Sequence, residues 1–187
     1  MPPKSDTKDH SVQCFMPRWA TAWAIIGSLV CIWDATYVLT RPRSMAKGDL
    51  FHIFFPYAKY ITLDPLYGNL KNAFVIAQSC MNYVELTLTL FSVILYYIFR
   101  RRNLSCLLLL ICSVMTWSKT VVYFIHDHFE RALHPQELSV EIPISEYIFL
   151  FIIPSSLWIL LPFATMWNIG RQIIRLINSK NDKTKST

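Results

Sequence analysis

Charged side chains are scarce in this sequence. Asp, Glu, Lys and Arg make up 16% of its 187 residues, against about 25% in an ordinary soluble domain. Hydrophobic residues make up 53%, more apolar side chain than a soluble core of this chain length absorbs. Those proportions exclude a disordered chain, a collagen-like fibre and a secreted disulfide scaffold. A small integral membrane protein remains. Paired cysteines are missing too. Cys14, Cys31, Cys80, Cys106 and Cys112 form no C-x-x-C, and four of them lie in or beside apolar runs. They read as reduced packing residues, with no metal site, no cofactor and no disulfide framework expected. No repeat and no low-complexity segment is present.

Four apolar stretches reach the roughly 20 residues that a membrane-crossing helix needs. They run from about Trp19 to Leu39, Ala73 to Phe99, Leu104 to His126 and Tyr147 to Gly170. The first starts too late and lacks the small-residue cleavage site of a signal peptide. The expected fold is therefore an all-α, four-helix membrane bundle spanning residues 18–172, with tails at 1–17 and 173–187. The net charge of +6 does not point to nucleic acid, because the basic residues lie between the apolar runs. Eleven Lys and Arg fall on the side of the termini and six on the other. By the positive-inside rule both termini are cytosolic.

The first loop, from Thr40 to about Asn72, is long and strongly aromatic. It is expected to lie on the bilayer surface or to cap the bundle as a lid. His126-Asp127-His128-Phe129-Glu130-Arg131 reads as a polar turn with solvated histidines, and the tail from Asn178 as disordered. Lys183-Thr184-Lys185-Ser186-Thr187 has the K-x-K-x-x pattern of a retrieval signal for endoplasmic reticulum membrane proteins.

Ionisable residues inside a span are costly, which makes them functional candidates. Three are present: Asp34, Glu85 and Lys119. At about 1.5 Å per residue they fall roughly 8, 18 and 10 Å from the ends of their helices on the loop side, so all three can meet in one half of the bundle. One outcome is an ion pair, Asp34–Lys119 or Glu85–Lys119, that merely fixes helix register. The other is a cavity with two carboxylates, able to bind a cation or to move a proton. Tyr37, Asn82, Trp117, Thr120, Tyr123, Ser155 and Trp158 are further residues expected to line it. If Lys119 pairs with one acid, one carboxylate is left for a ligand.

Several short runs carry a resemblance. Trp33-Asp34-Ala35-Thr36-Tyr37, Tyr57-Ala58-Lys59, Asp64-Pro65-Leu66-Tyr67-Gly68 and Asn82-Tyr83-Val84-Glu85 are among them. Ser118-Lys119-Thr120-Val121-Val122-Tyr123 and Leu157-Trp158-Ile159-Leu160-Leu161-Pro162 extend it over about residues 18–172. In this order they resemble the EXPERA family, which includes emopamil-binding protein and the sigma-2 receptor. The resemblance implies a sterol cavity in the membrane, with Glu85 matching an essential glutamate, Asp34 an acid on the first span and Trp158 a cation-facing tryptophan. The isomerase members' histidine before that acid is Val30 here, and their last-span asparagine is Ser155. A non-isomerase member is implied.

The expected protein is thus a multi-pass protein of the endoplasmic reticulum that binds a sterol-like lipid or a cationic amphiphile. A binding protein is favoured over an enzyme. A sterol Δ8–Δ7 isomerase using Glu85 and Asp34 is one alternative. A trafficking or interaction factor is another, and a homodimer is compatible with either.

Overall fold

The computed structural model describes residues 13–135 and 143–185, with side chains as far as Ser179 and at Asn181. Among the described residues there is no strand. Four helices are long and apolar enough to cross a membrane, and the chain is a multi-pass, all-α membrane bundle. Helix α1 is Arg18–Leu39, α5 is Ala73–Tyr97 and α6 is Arg102–Leu133. Between α1 and α5 lie three short helices, α2 (Phe51–Phe54), α3 (Tyr57–Leu63) and α4 (Pro65–Gly68). The fourth span opens with α7 (Ile144–Tyr147), passes through a π-helical turn at Ile148–Ile152 and continues as α8 (Ile153–Lys185). Large apolar side chains such as Ile26, Leu29, Val84, Ile111, Leu160 and Phe163 point outward. Such exposure is stable against lipid and not against water.

Two expectations are corrected. The third span does not end at His126: α6 runs to Leu133, and the stretch expected as a turn is helical. His126 stacks on Phe74 with ring centres 4.0 Å apart, and Asp127 and Arg131, four residues apart, bond at 2.9 Å. Such i,i+4 pairs carry a helix beyond its apolar part. The tail expected to be loose from Asn178 continues α8 to Lys185. The side chains of the retrieval-like end, Lys183–Thr187, lie outside the described residues, as do residues 1–12 and 136–142.

Each end of the bundle is closed differently. At the end of the termini, the backbone N–H of Cys14 donates to Asn103 Oδ1 at 2.8 Å and that of Phe15 to Gln172 Oε1 at 2.8 Å. Cys14, Met16, Ala24, Tyr96, Cys106, Leu109 and Ile169 pack there into one core. Above it, Ser92 Oγ donates to the Ser105 carbonyl at 2.8 Å and Ser105 Oγ to the Ser92 carbonyl at 2.7 Å, which locks α5 to α6.

At the other end the 40–72 segment folds over the bundle as a cap. Tyr37, Val38, Phe54, Tyr57, Leu66 and Val75 form its core. The rings of Tyr37 and Tyr57 stack at 3.8 Å, and Arg41 ties the segment's two ends by donating to the Tyr67 carbonyl at 2.6 Å. Gly48 sits in a tight turn closed by the Leu50 N–H on the Arg43 carbonyl at 3.0 Å. A Cβ at position 48 would lie 2.0 Å from that carbonyl oxygen. Gly48→Ala must therefore open the turn. Thermal unfolding in micelles is expected to show a loss of about 1–3 kcal/mol, and an unchanged melting temperature would refute this account of the turn.

Candidate functional site

Beneath the cap, between α1, α5, α6 and the fourth span, lies a cavity of about 490 Å³. That is the size of a small-molecule site. Asp34, Asn82, Glu85, Lys119, Thr120, Tyr123, Ser155 and Trp158 line it, as do Trp33, Tyr57, Tyr60, Tyr67 and Phe151. Tyr37 and Trp117 stand elsewhere. Tyr37 is fully buried in the cap core against Tyr57, and Trp117 is half-buried on α6.

Glu85 and Lys119 are partners. Lys119 Nζ lies 2.8 Å from Glu85 Oε2 and also donates to Asn82 Oδ1. Thr116 donates its hydroxyl to Glu85 Oε1 at 2.5 Å. Glu85 is 6% exposed. A buried pair of this kind is tolerable only with its remaining lone pairs and protons satisfied. Thr116 and Asn82, each one helical turn from a member of the pair, supply that.

Asp34 has a different environment. Tyr57 donates to its Oδ1 at 2.7 Å and Tyr67 to its Oδ2 at 3.0 Å. Among the described residues no Lys, Arg or His forms an ion pair with it. Burial and the neighbouring Asp34 charge push both phenols well above their usual range, so they remain donors. Aromatic faces surround this carboxylate. The rings of Trp33 and Tyr57 are 4.9 Å apart, and those of Tyr60 and Tyr67 5.1 Å. Such faces favour a cation.

The chamber therefore holds one acid paired to Lys119 and one that meets no ion-pair partner among the described residues, set among aromatic side chains. Its fourth-span wall is shaped by the π-helical turn. Pro154 withholds an N–H, and its ring would crowd the carbonyl of Leu150 in a regular helix. The wider turn removes the conflict and leaves Phe151 pointing inward, 1% exposed. Further along the same wall, Trp158 meets Trp23 of α1 edge-on, ring centres 4.8 Å apart, beside Gly27.

Tyr57 and Tyr67 stand in the sequence only within the runs that carry the resemblance, and neither they nor Tyr60 are among the residues expected to line the cavity. Their signal was the aromatic density of the loop, which does not reveal that the hydroxyls turn inward onto carboxylates. No family model, no curated protein and no solved structure matches the chain.

Proposed function

We propose that this protein is a binding protein of the endoplasmic reticulum membrane, related to the EXPERA proteins. Its cavity takes a cationic amphiphile or a sterol-like lipid. The ligand's ammonium sits at Asp34 and its hydrophobic body among Trp33, Phe151 and Trp158. The observation that carries this reading is the clamped carboxylate of Asp34, which forms no ion pair among the described residues and lies in a chamber lined in part by aromatic side chains. In low dielectric a charge partner counts for more than in water. The topology that goes with it has cytosolic termini, supported by the basic bias of that side, and retrieval through the K-x-K-x-x end.

The Glu85–Lys119 pair favours binding over isomerisation. Both Glu85 oxygens are engaged within the protein, Oε2 by Lys119 at 2.8 Å and Oε1 by Thr116 at 2.5 Å, and Val30 offers no proton where the isomerases have histidine. A lipophilic tertiary amine should raise the unfolding temperature of the purified protein saturably, and a sterol should compete with it. Cells lacking sterol Δ8–Δ7 isomerase should not regain Δ7 sterols on expressing it. No thermal shift with any lipophilic amine or sterol would refute the binding function, and recovery of Δ7 sterols would make the protein an isomerase.

A further inference from the structure

A second carboxylate lies outside the cavity wall. Asp64, between α3 and α4, is 0% exposed. Its Oδ2 accepts the hydroxyl of Tyr123 and, at 3.5 Å, that of Tyr60. Its Oδ1 is buried with no hydrogen-bond partner. Just beyond, Arg131 holds Asp127 at 2.9 Å and also donates to the Leu63 carbonyl at 3.1 Å, so this cluster joins the cap to the end of α6. Tyr60 and Tyr123 line the cavity as well, and Tyr67, a donor to Asp34, touches both rings at 5.1 and 6.1 Å. Three tyrosines, Tyr60, Tyr67 and Tyr123, thus lie between the carboxylates of Asp34 and Asp64.

We propose that Asp64 is a proton-operated strut: taking up a proton, it tightens the cap on α6 and slows exchange of whatever the cavity holds. A buried carboxylate oxygen without a full hydrogen bond is expensive because little replaces its water. A proton on Asp64 removes the charge and leaves the smaller cost of a neutral hydroxyl, while Oδ2 keeps the Tyr123 and Tyr60 bonds. The groups facing Asp64 are Tyr60 from α3, Tyr123, Asp127 and Arg131 from α6, and Tyr147 from α7. Burial raises the Asp64 carboxyl from an ordinary 3.8 to about 6, with the Asp127 charge adding to it. The Tyr123 hydrogen bond, the Arg131 charge and the Leu66 amide oppose the rise.

A carboxyl with a raised folded-state pKa binds its proton better in the folded form, so stability grows as pH falls through about 6 and levels off near the unfolded value of 3.8. Two decades of proton affinity set a ceiling of about 100-fold on the effect. The ligand-exchange half rests on the binding function above, and the strut does not.

The test uses the full chain in lipid nanodiscs between about pH 5 and about pH 8, with thermal unfolding and the dissociation rate of a tritiated lipophilic tertiary amine as readouts. Histidines titrate in the same range, and His126 and His134 flank Glu130. The quantity to compare is therefore wild type minus Asp64→Asn. The wild type should gain unfolding temperature on acidification, the gain setting in near pH 6, and at about pH 5 its amine should leave roughly 10-fold more slowly, within that ceiling. Asp64→Asn, a neutral carboxyl mimic, should be tight and slow at every pH. Tyr123→Phe, which removes a bond favouring the anion, should move the onset to higher pH, a shift that loss of packing alone does not produce. Should Asp64→Asn not fold, the Tyr123→Phe onset decides.

A thermal profile identical in wild type and Asp64→Asn, or an unmoved onset in Tyr123→Phe, overturns the strut even if the amine binds. A thermal profile that behaves as described in a protein that binds no amine or sterol upholds the strut and refutes the binding function.

Discussion

Asp34→Asn is expected to cost a bound lipophilic amine about 2–5 kcal/mol, the usual penalty for leaving one member of a desolvated charge pair alone. In affinity that is roughly 30-fold to a few thousand-fold. The fold should survive, because the amide oxygen still accepts from one of Tyr57 and Tyr67, and the other hydroxyl turns to accept from the amide nitrogen. A neutral sterol should bind the variant within a few-fold of wild type, since its contacts are apolar. Radioligand binding or thermal shift with both ligand types separates the two effects. Equal loss for amine and sterol would mean that the variant has collapsed the chamber and not merely removed its charge.

The second large effect is on stability. Lys119→Met should destabilise the protein by about 3–5 kcal/mol, because Glu85 is left charged at 6% exposure with only Thr116 to answer it. The double variant Glu85→Gln/Lys119→Met replaces the pair by neutral side chains of similar size. It should recover most of the loss, since such replacements are often neutral or stabilising. Unfolding in mixed micelles of both single variants and the double variant gives the coupling. Additive losses would show that the 2.8 Å contact contributes nothing as a pair. Glu85→Gln alone should weaken amine binding far less than Asp34→Asn, because Glu85 already has its cation.

The spans were legible because a bilayer demands long apolar runs, and α1 and α5 lie within two residues of where composition puts them. The end of α6 was not. Beyond His126 the helix is held by side-chain pairs and by the cap, and a polar sequence there reads equally well as a turn. Asp34, Glu85 and Lys119 stood out as charges in apolar surroundings, and helical rise put all three in the loop-side half of the bundle, though α6 runs seven residues past the end assumed for Lys119. Which acid takes the lysine depends on helix rotation and packing, which a hydropathy pattern does not specify. The tyrosines clamping Asp34 and Asp64 were hidden for a different reason. In a membrane protein, aromatic residues near span ends are ordinarily interfacial anchors, and only the fold of the 40–72 segment turns their hydroxyls inward. Trp117 carries the same ambiguity on α6, and there the ring stays out of the cavity.

The central claim is that the ligand's charge is answered by Asp34 and by no other group in the chamber. A cycle with two ligands and two proteins measures that directly: a lipophilic amine and its uncharged carbon isostere, each titrated against wild type and Asp34→Asn. The isostere should bind both proteins alike, and the amine should lose at least about 2 kcal/mol only in the variant, giving a coupling of that size. A coupling near zero, with the amine binding both proteins as the isostere does, would contradict the account.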